Sequence, residues 1–365
     1  MLTNIKVKNF KSLKDITIAT KPLNVLMGLN GMGKSSLIQS LLILMQSDKL
    51  EEGVVDLNGT LVQIGQGKDA LYQFAEKDFI SLSVSLDNDL IYEWNLIYNR
   101  DKDKLKTRES APKVNFQKFT DTKKLFQYIS AERIGPRDLY DSSSILVEDK
   151  KQIGLLGEFA ANFLNTFGTE YSVNEKLRHK NAKSEKLIDQ VNSWLSEISP
   201  GVTLNTKYLP DVNKIILDYQ FEFGHNKTNS FRPKNVGFGI SYVLPIIVSL
   251  LTAEPGKTIV IENPESHIHP RGQAEMGRMI SLATTTGAQL FIETHSDHII
   301  NGIRVAVKEK LVNKEQVNIL FFDKESNENE QFTKVTPIKV DQHGELNDYP
   351  QNFLDEWANQ LLKLL

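Results

Sequence analysis

The chain of 365 residues contains no cysteine. That excludes disulfides, thiolate zinc sites and cysteine nucleophiles together, and it fits a reducing compartment, the cytoplasm. A surplus of either charge is missing too. The 43 lysines and arginines face 46 aspartates and glutamates, a formal net charge of -3. No global attraction therefore draws the chain to nucleic acid or to an anionic membrane, and such binding would rest on local patches. Long apolar runs are also absent. The opening MLTNIKVKNFKSLKD has no apolar core of signal-peptide length. The most apolar stretch, YVLPIIVSLL, falls short of the roughly 18 residues of a membrane span and carries a proline, so it reads as a buried helix. With no repeat of fixed period and no sustained heptad run, a long coiled coil is not expected.

Against these absences stands a composition, 40% hydrophobic and 24% charged, that can bury a core in one large domain or two ordinary ones. Alternation in NIKVKNF and DITIAT predicts two short antiparallel strands, followed by the apolar strand LNVLM from Leu23 to Met27. A glycine-rich turn comes next, then SSLIQSLLILM at helical spacing from about Ser35 to Met45. Residues 61–98 read as strands, ISLSVSL most cleanly, and the lysine-rich stretch from Asn99 to Thr122 reads as a loop or insertion. Residues 125–230 mix a strand (LFQYISAE), two helices (GLLGEFAANFLNTF and KLIDQVNSWLSEI) and a hairpin-like end (KIILDYQFEF). Beyond Asn235, ISYVLPIIVSLL, TIVIE, RGQAEMGRMISLA and AQLFIET alternate helix, strand, helix, strand, which predicts an α/β core with parallel strands.

The strongest motif is GLNGMGKSS, which fits the P-loop pattern G-x-x-x-x-G-K-[ST] through Gly28, Gly33, Lys34 and Ser35. Glycines let backbone N–H groups approach phosphate oxygens, the lysine reaches the β and γ phosphates, and the serine hydroxyl ligates Mg²⁺. A glycine turn that only caps a helix is the alternative; the strand before and the helix after weigh against it. Further on, TIVIE ends a buried strand with Glu262, a carboxylate placed to hold Mg²⁺ directly or through water. Asn263, Pro264 and Glu265 follow, then SHIHP, and about thirty residues later LFIETHSDH puts Thr294 and His295 at the end of the next strand. In NVGFGISYVLP, Gly237, Gly239 and Ser241 open a helix whose amino end suits an anion.

Taken in order, VKNFKSL, NVGFGIS, IENPESHIHP and ETHSDHIING, with a carboxyl end like YPQNFLDEWANQL, make the chain resemble the non-transporter ABC-class ATPases of the RecF, SMC and OLD groups. It most resembles their compact bacterial members, often encoded beside an effector in anti-phage defence operons. The resemblance runs from Ile5 to Leu365 and is weakest from about Asn99 to Ser230. It implies an α/β, ABC-type P-loop NTPase head with a mixed or parallel core sheet, an antiparallel β subdomain and a helical insertion. The expected segments are an amino-terminal lobe (1–98), an inserted subdomain (99–230) and a carboxyl-terminal lobe (231–365).

The resemblance also implies ATP and Mg²⁺ as cofactors. Asn30, Gly31, Met32, Gly33, Lys34, Ser35 and Ser36 would line the phosphates, with Ser35 and Glu262 on the metal. Gly239 and Ser241 stand in the signature loop, although GFGIS replaces the usual LSGGQ-like wording. SHIHP matches the D-loop region and His295 the switch histidine, while Gln63 and Gln66 are candidates for the Q-loop glutamine. In this class two protomers sandwich ATP between the Walker loops of one and the signature loop of the other, so a homodimer is implied, together with a protein effector encoded nearby.

One position departs from the class. The metal-binding acid is ordinarily followed by a glutamate that activates water, and here Asn263 follows Glu262. Asn263 could orient water without taking its proton, and Glu265 is a second candidate for the base. A slow hydrolase, a scaffold that binds ATP without turnover and a RecF-like DNA clamp all stay open. An OLD-type nuclease would need a further Toprim-like domain, for which the 70 residues after His295 are too few.

Other residues have plainer readings. His267 and His269, with His295 and His298, suggest a metal site, yet a D-loop and a switch explain all but His298. Arg133 and Arg137 could reach phosphate or a partner acid, or serve in structural salt bridges. The basic segment KLRHKNAKSEK (176–186) reads as a solvated helix end or loop more readily than as a nucleic-acid patch. Phe353, Leu354, Trp357, Leu361 and Leu364 form a helical stripe expected to pack on its own domain.

Overall fold

The computed structural model describes residues 1–87, 90–108 and 116–364, the side chains of 356–358 excepted. In chain order the first elements are β1 (Leu2–Phe10), β2 (Leu13–Ala19), β3 (Leu23–Met27), α1 (Lys34–Gln46), β4 (Val54–Asp56), α2 (Gly67–Ala70), β5 (Phe79–Leu86), β6 (Leu90–Ile97), β7 (Lys104–Lys106) and α3 (Gln117–Lys124). Next come β8 (Phe126–Ile129), β9 (Tyr140–Asp141), α4 (Ala160–Phe167), α5 (Leu187–Ile198), β10 (Val202–Leu209), β11 (Lys214–Phe223) and β12 (Asn226–Lys227). The last are α6 (Phe238–Leu251), β13 (Thr258–Glu262), α7 (Pro270–Thr284), β14 (Gln289–Glu293), α8 (Asp297–Lys308), β15 (Val317–Ser326), β16 (Gln331–Ile338) and α9 (Glu356–Lys363). The class is α/β with mixed parallel and antiparallel strands.

Two compact units divide the chain, residues 1–126 with 315–341 and 346–365, and residues 127–314 with 342–345. This division follows packing, whereas the expected segments 1–98, 99–230 and 231–365 follow sequence order. The carboxyl-terminal strands β15 and β16 return to the amino-terminal unit, so one unit is closed by residues far apart in the chain.

In the first unit an antiparallel sheet has the order β2-β1-β5-β6. Val7 lies opposite Ile16 on one side and Leu82 on the other, all three buried. That is the period of two that the alternating sequence predicts. Here too β3 pairs in parallel with β15, Val25 facing Ile319, and β15 pairs antiparallel with β16. All five residues of β3 are buried, which is why LNVLM does not alternate apolar with polar, and its one polar residue, Asn24, exchanges hydrogen bonds with the backbone of Lys21.

Two expectations fail in this unit. Strands do not fill 61–98: residues 67–70 form α2, and regular strand begins only at Phe79. Gln66 and Asp69 make a reciprocal capping box that starts α2. Nor is 99–122 merely a loop, since its described part holds β7 and α3. Phe119 is fully buried and packs with Tyr92 and Trp94 at ring-centroid distances of 5.3 and 5.5 Å. A polar average hid these anchors. The carboxyl-terminal stripe divides as well. Phe353 is buried against Phe321, but Leu361 and Leu364 of the last segment are exposed, and the side chain of Trp357 lies outside the described residues.

In the second unit β14, β13 and β8 lie side by side, with β13 and β14 parallel and Ile261 opposite Ile292. A smaller antiparallel sheet joins β10, β11 and β12, with β9 paired to β11. Helices α7 and α8 meet backbone to backbone at Gly277 and Gly302. A Cβ on Gly302 would lie 2.1 Å from the carbonyl oxygen of Ala274, so no side chain fits. Pro245 sits inside α6, as the sequence places it.

Candidate functional site

The P-loop lies in the first unit, between the end of β3 and the start of α1. Gly28, Gly31 and Gly33 all have positive φ (136°, 77° and 100°), a backbone that glycine adopts without strain. At two of them glycine is also required by close neighbours. A Cβ on Gly28 would lie 2.1 Å from the carbonyl oxygen of Phe322, and one on Gly33 would lie 2.3 Å from Thr333 Oγ1. A Cβ on Gly31 would meet nothing within 4 Å, so this glycine faces open space. Asn30 and Gly31 are exposed and Met32 is half-buried.

Gly33 also caps α1 with no side-chain hydrogen bond, and no acid stands in the first turn. The N–H groups of a first helical turn point out of the helix end, and the helix dipole favours an anion in front of them. Lys34 is only 3% exposed, and its Nζ donates to the carbonyls of Gly28 (2.8 Å) and Leu29 (2.9 Å). The ammonium is thus folded over the loop by acceptors on the loop itself. Ser35 is exposed and Ser36 half-buried. Of the two Q-loop candidates, Gln66 is occupied in its capping box and by the carbonyl of Asp101, while Gln63 is exposed.

The acids lie in the second unit, at the end of β13. Glu262 accepts from the N–H of Ala131 at 3.3 Å, and the Tyr128 hydroxyl also bonds its carboxyl. Burial raises its pKa, an effect only partly offset by Ala131, Tyr128 and the charge of Arg133. A buried carboxylate of this kind gains most from a cation. Its oxygens are hard donors of the sort Mg²⁺ takes. Among the described residues no group of three or more His, Cys, Asp or Glu is placed to hold a metal ion. Glu262 by itself suits an ion that brings most of its ligands with it.

Arg133 takes neither of the expected roles. It is 3% exposed, and its guanidinium donates from Nη1 to the carbonyls of Glu262 (2.6 Å) and Ser130 (3.1 Å) and from Nη2 to the carbonyl of Asn263 (2.7 Å). It stands 5.6 Å from the Tyr242 ring centroid. Burial lowers its pKa to about 10, which leaves it charged at neutral pH. An arginine in SAERIGPRD suggests a phosphate or an acid as its partner. Carbonyl acceptors leave no trace in the residue types.

Asn263 has φ 47°, the left-handed region that asparagine tolerates better than glutamate does. Its N–H donates to the carbonyl of Glu293 at 2.8 Å, while its Oδ1 is shut off from solvent with no hydrogen-bond partner. Both oxygens of Glu265 are occupied: Oε2 accepts from the Thr294 hydroxyl (2.8 Å) and Oε1 from the N–H of His295 (2.7 Å). Glu265 thereby ties the segment after β13 to the segment after β14. The His295 residue itself is exposed at that end.

Other candidates have structural positions. His269 caps α7 by accepting from the N–H of Arg271, and exposed His267 stacks edge-on against Phe238 and Tyr242. His298 is exposed on the first turn of α8. At the start of α6, Gly239 packs on the His267 carbonyl, where a Cβ would lie 2.1 Å away. Ser241 departs from expectation. It is 5% exposed, its Oγ enclosed beside the hydroxyls of Tyr140 and Tyr219, because its position turns to the buried side of the helix. The exposed residues at this helix entrance are Gly237 and Phe238.

The basic segment 176–186 is not simply solvated. His179 is buried with Nε2 3.1 Å from Glu197, Arg178 pairs with Glu185 at 3.0 Å, and Lys183 with Glu222 at 3.4 Å. Charges engaged within the unit leave less for a nucleic acid.

A family model described as "AAA domain, putative AbiEii toxin, Type IV TA system" matches residues 23–301. A second, described only as a protein of unknown function (DUF3696), matches residues 312–364. No curated protein sequence matches the chain. Among solved structures, the Smc head domain with an extended coiled coil bound to the C-terminal domain of ScpA, derived from Pyrococcus furiosus, aligns with a TM-score of 0.55 at 10% identity, covering 100% of this chain and 99% of that one. An SmcHead bound to the C-winged helix domain of ScpA aligns with a TM-score of 0.52 at 11% identity, covering 92% and 98%. At these identities the likeness is one of fold.

Proposed function

The chain belongs to the AAA-domain family described as putative AbiEii toxin of type IV toxin–antitoxin systems, and from that premise we propose that it is an ATP-binding switch with slow turnover. The observation that carries this reading is the P-loop itself. Three glycines of positive φ lead into the uncapped amino end of α1, and Lys34 is held over the loop by two of its carbonyls. Such a loop can exchange those carbonyls for phosphate oxygens.

Asn30 to Ser36 would line the phosphates, with Ser35 and Glu262 towards Mg²⁺. Bound with nucleotide, Mg²⁺ would neutralise phosphate charge. In this reading Asn263 positions water and accepts no proton, His295 faces the γ-phosphate, and Glu265 is a fastener and not the base. Slow turnover follows, because positioning and charge stabilisation remain while general-base assistance is missing.

The chain would act as a cytoplasmic homodimer closed around ATP, with Gly239 rather than buried Ser241 at the contact, and would switch a protein effector in anti-phage defence. Among the described residues no helix is long and apolar enough to cross a membrane. Sedimentation of the Lys34→Ala and wild-type chains with a non-hydrolysable ATP analogue tests this: the analogue should double the mass of the wild type alone, and an unchanged wild type would remove the dimer. A scaffold without turnover is the second reading, favoured by the occupied oxygens of Glu265.

A further inference from the structure

The segment 312–364, matched only to a model of unknown function, meets the P-loop at the Phe322 carbonyl, against Gly28, and again through a buried hydroxyl. Thr333, on β16, is 3% exposed. Its Oγ1 lies 3.0 Å from the carbonyl oxygen of Met32 and 2.8 Å from Ser12 Oγ, and its N–H donates to the Ser12 carbonyl at 2.9 Å. A carbonyl can only accept, so Thr333 gives its single proton to Met32 and takes one from Ser12. Three stretches far apart in sequence meet at that hydroxyl: the turn between β1 and β2, the P-loop, and β16.

The consequence follows from peptide geometry. A trans peptide is planar, with C=O and N–H on opposite sides of the C–N bond. Holding the Met32 carbonyl towards Thr333 therefore turns the N–H of Gly33 away from β16. Gly33 is also confined sterically, because a Cβ there would lie 2.3 Å from Thr333 Oγ1 and 2.9 Å from Ser12 Oγ. The glycine of the motif and the two hydroxyls thus form one device.

The structure assigns Thr333, with Ser12 behind it, as the positioning residue that presets the Met32–Gly33 peptide for a polyphosphate. This rests on the reading of the loop as an ATP site. It also gives the carboxyl-terminal segment a task, completing the nucleotide loop from the far end of the chain. Thr333 touches no phosphate in this account and acts through the Gly33 N–H.

The test is a set of binding titrations on the full chain, using ATP and inorganic tripolyphosphate, with thermal unfolding in the absence of ligand. Thr333→Val, which removes the hydroxyl and keeps the shape, should weaken both ligands by the same factor, about tenfold for loss of one preset hydrogen bond. Thr333→Ser should bind as the wild type does. Ser12→Ala, which leaves the Met32 bond in place, should give a smaller loss and guards against misfolding of the valine variant. An equal fall for both ligands with rescue by serine supports the assignment. Wild-type affinity in Thr333→Val, a loss confined to ATP, or a loss in Thr333→Ser as large as in the valine variant overturns it. If the wild-type chain binds neither ligand, the ATP reading itself fails, a separate outcome.

Discussion

Arg133 holds the carbonyls of Glu262 and Asn263 in one guanidinium fork, at 2.6 and 2.7 Å. Two consecutive carbonyls at the end of β13 therefore depend on one buried side chain. Arg133→Met should strand both and lower unfolding stability by about 2–5 kcal/mol. Arg133→Lys should recover only part of that, since an ammonium cannot span the pair as a fork. Urea denaturation of the three chains checks the order; a methionine variant as stable as the wild type would show that the fork is dispensable.

Asn263 combines a left-handed backbone with the place of the usual base. Asn263→Glu should cost about 1 kcal/mol in backbone strain and yet speed phosphate release. Asn263→Gly should be at least as stable as the wild type and slower in turnover. Stability and turnover would then move in opposite directions across the pair, and a glutamate variant with unchanged turnover would contradict the assignment of Asn263.

For Glu265 the hydrogen bonds to Thr294 and His295 predict a modest effect. Glu265→Gln keeps an acceptor and should leave phosphate release within about tenfold of the wild type, with the same pH profile. Loss of a general base costs about 10²–10⁴. A loss of that size, with one limb of the pH profile gone, would make Glu265 the base after all.

Lys257, at the start of β13, is buried, and its Nζ donates to the carbonyl and hydroxyl of Thr252 just past α6. Burial lowers its pKa from 10.5 to about 8. The unfolded chain therefore holds more protons than the folded one between those values. Burying the charged form costs stability; that cost is full below about 8 and is relieved as pH climbs through the window. Lys257→Met should remove that pH dependence, so the stability gap between the variant and the wild type changes in favour of the wild type from pH 7.5 towards 9.5, roughly the window that linkage sets. Parallel pH curves for the two chains would contradict the buried ammonium.

Much of this was legible in the sequence, for particular reasons. The P-loop shows because its glycines, lysine and serine are fixed by type and spacing, and β1, β3 and β13 show because burial on one or both faces writes a period of two or none. What stayed hidden depends on partners that sequence does not pair. Arg133 acts on carbonyls, which every residue has. Thr333 is an ordinary strand threonine until β16 returns to the P-loop. Ser241 followed a motif whose wording had already changed, and its place on the buried side of α6 could not be read from GFGIS. Phe119 was masked by its lysine-rich neighbours.

Phosphate release from ATP by the wild-type chain, with Lys34→Ala as the blank, separates slow turnover at an intact ATP site from binding alone. The expected result is a steady rate clearly above the blank but below the roughly 1–10³ per second of ordinary enzymes. A wild-type chain that binds ATP yet releases no more phosphate than Lys34→Ala would be a scaffold and not a slow hydrolase.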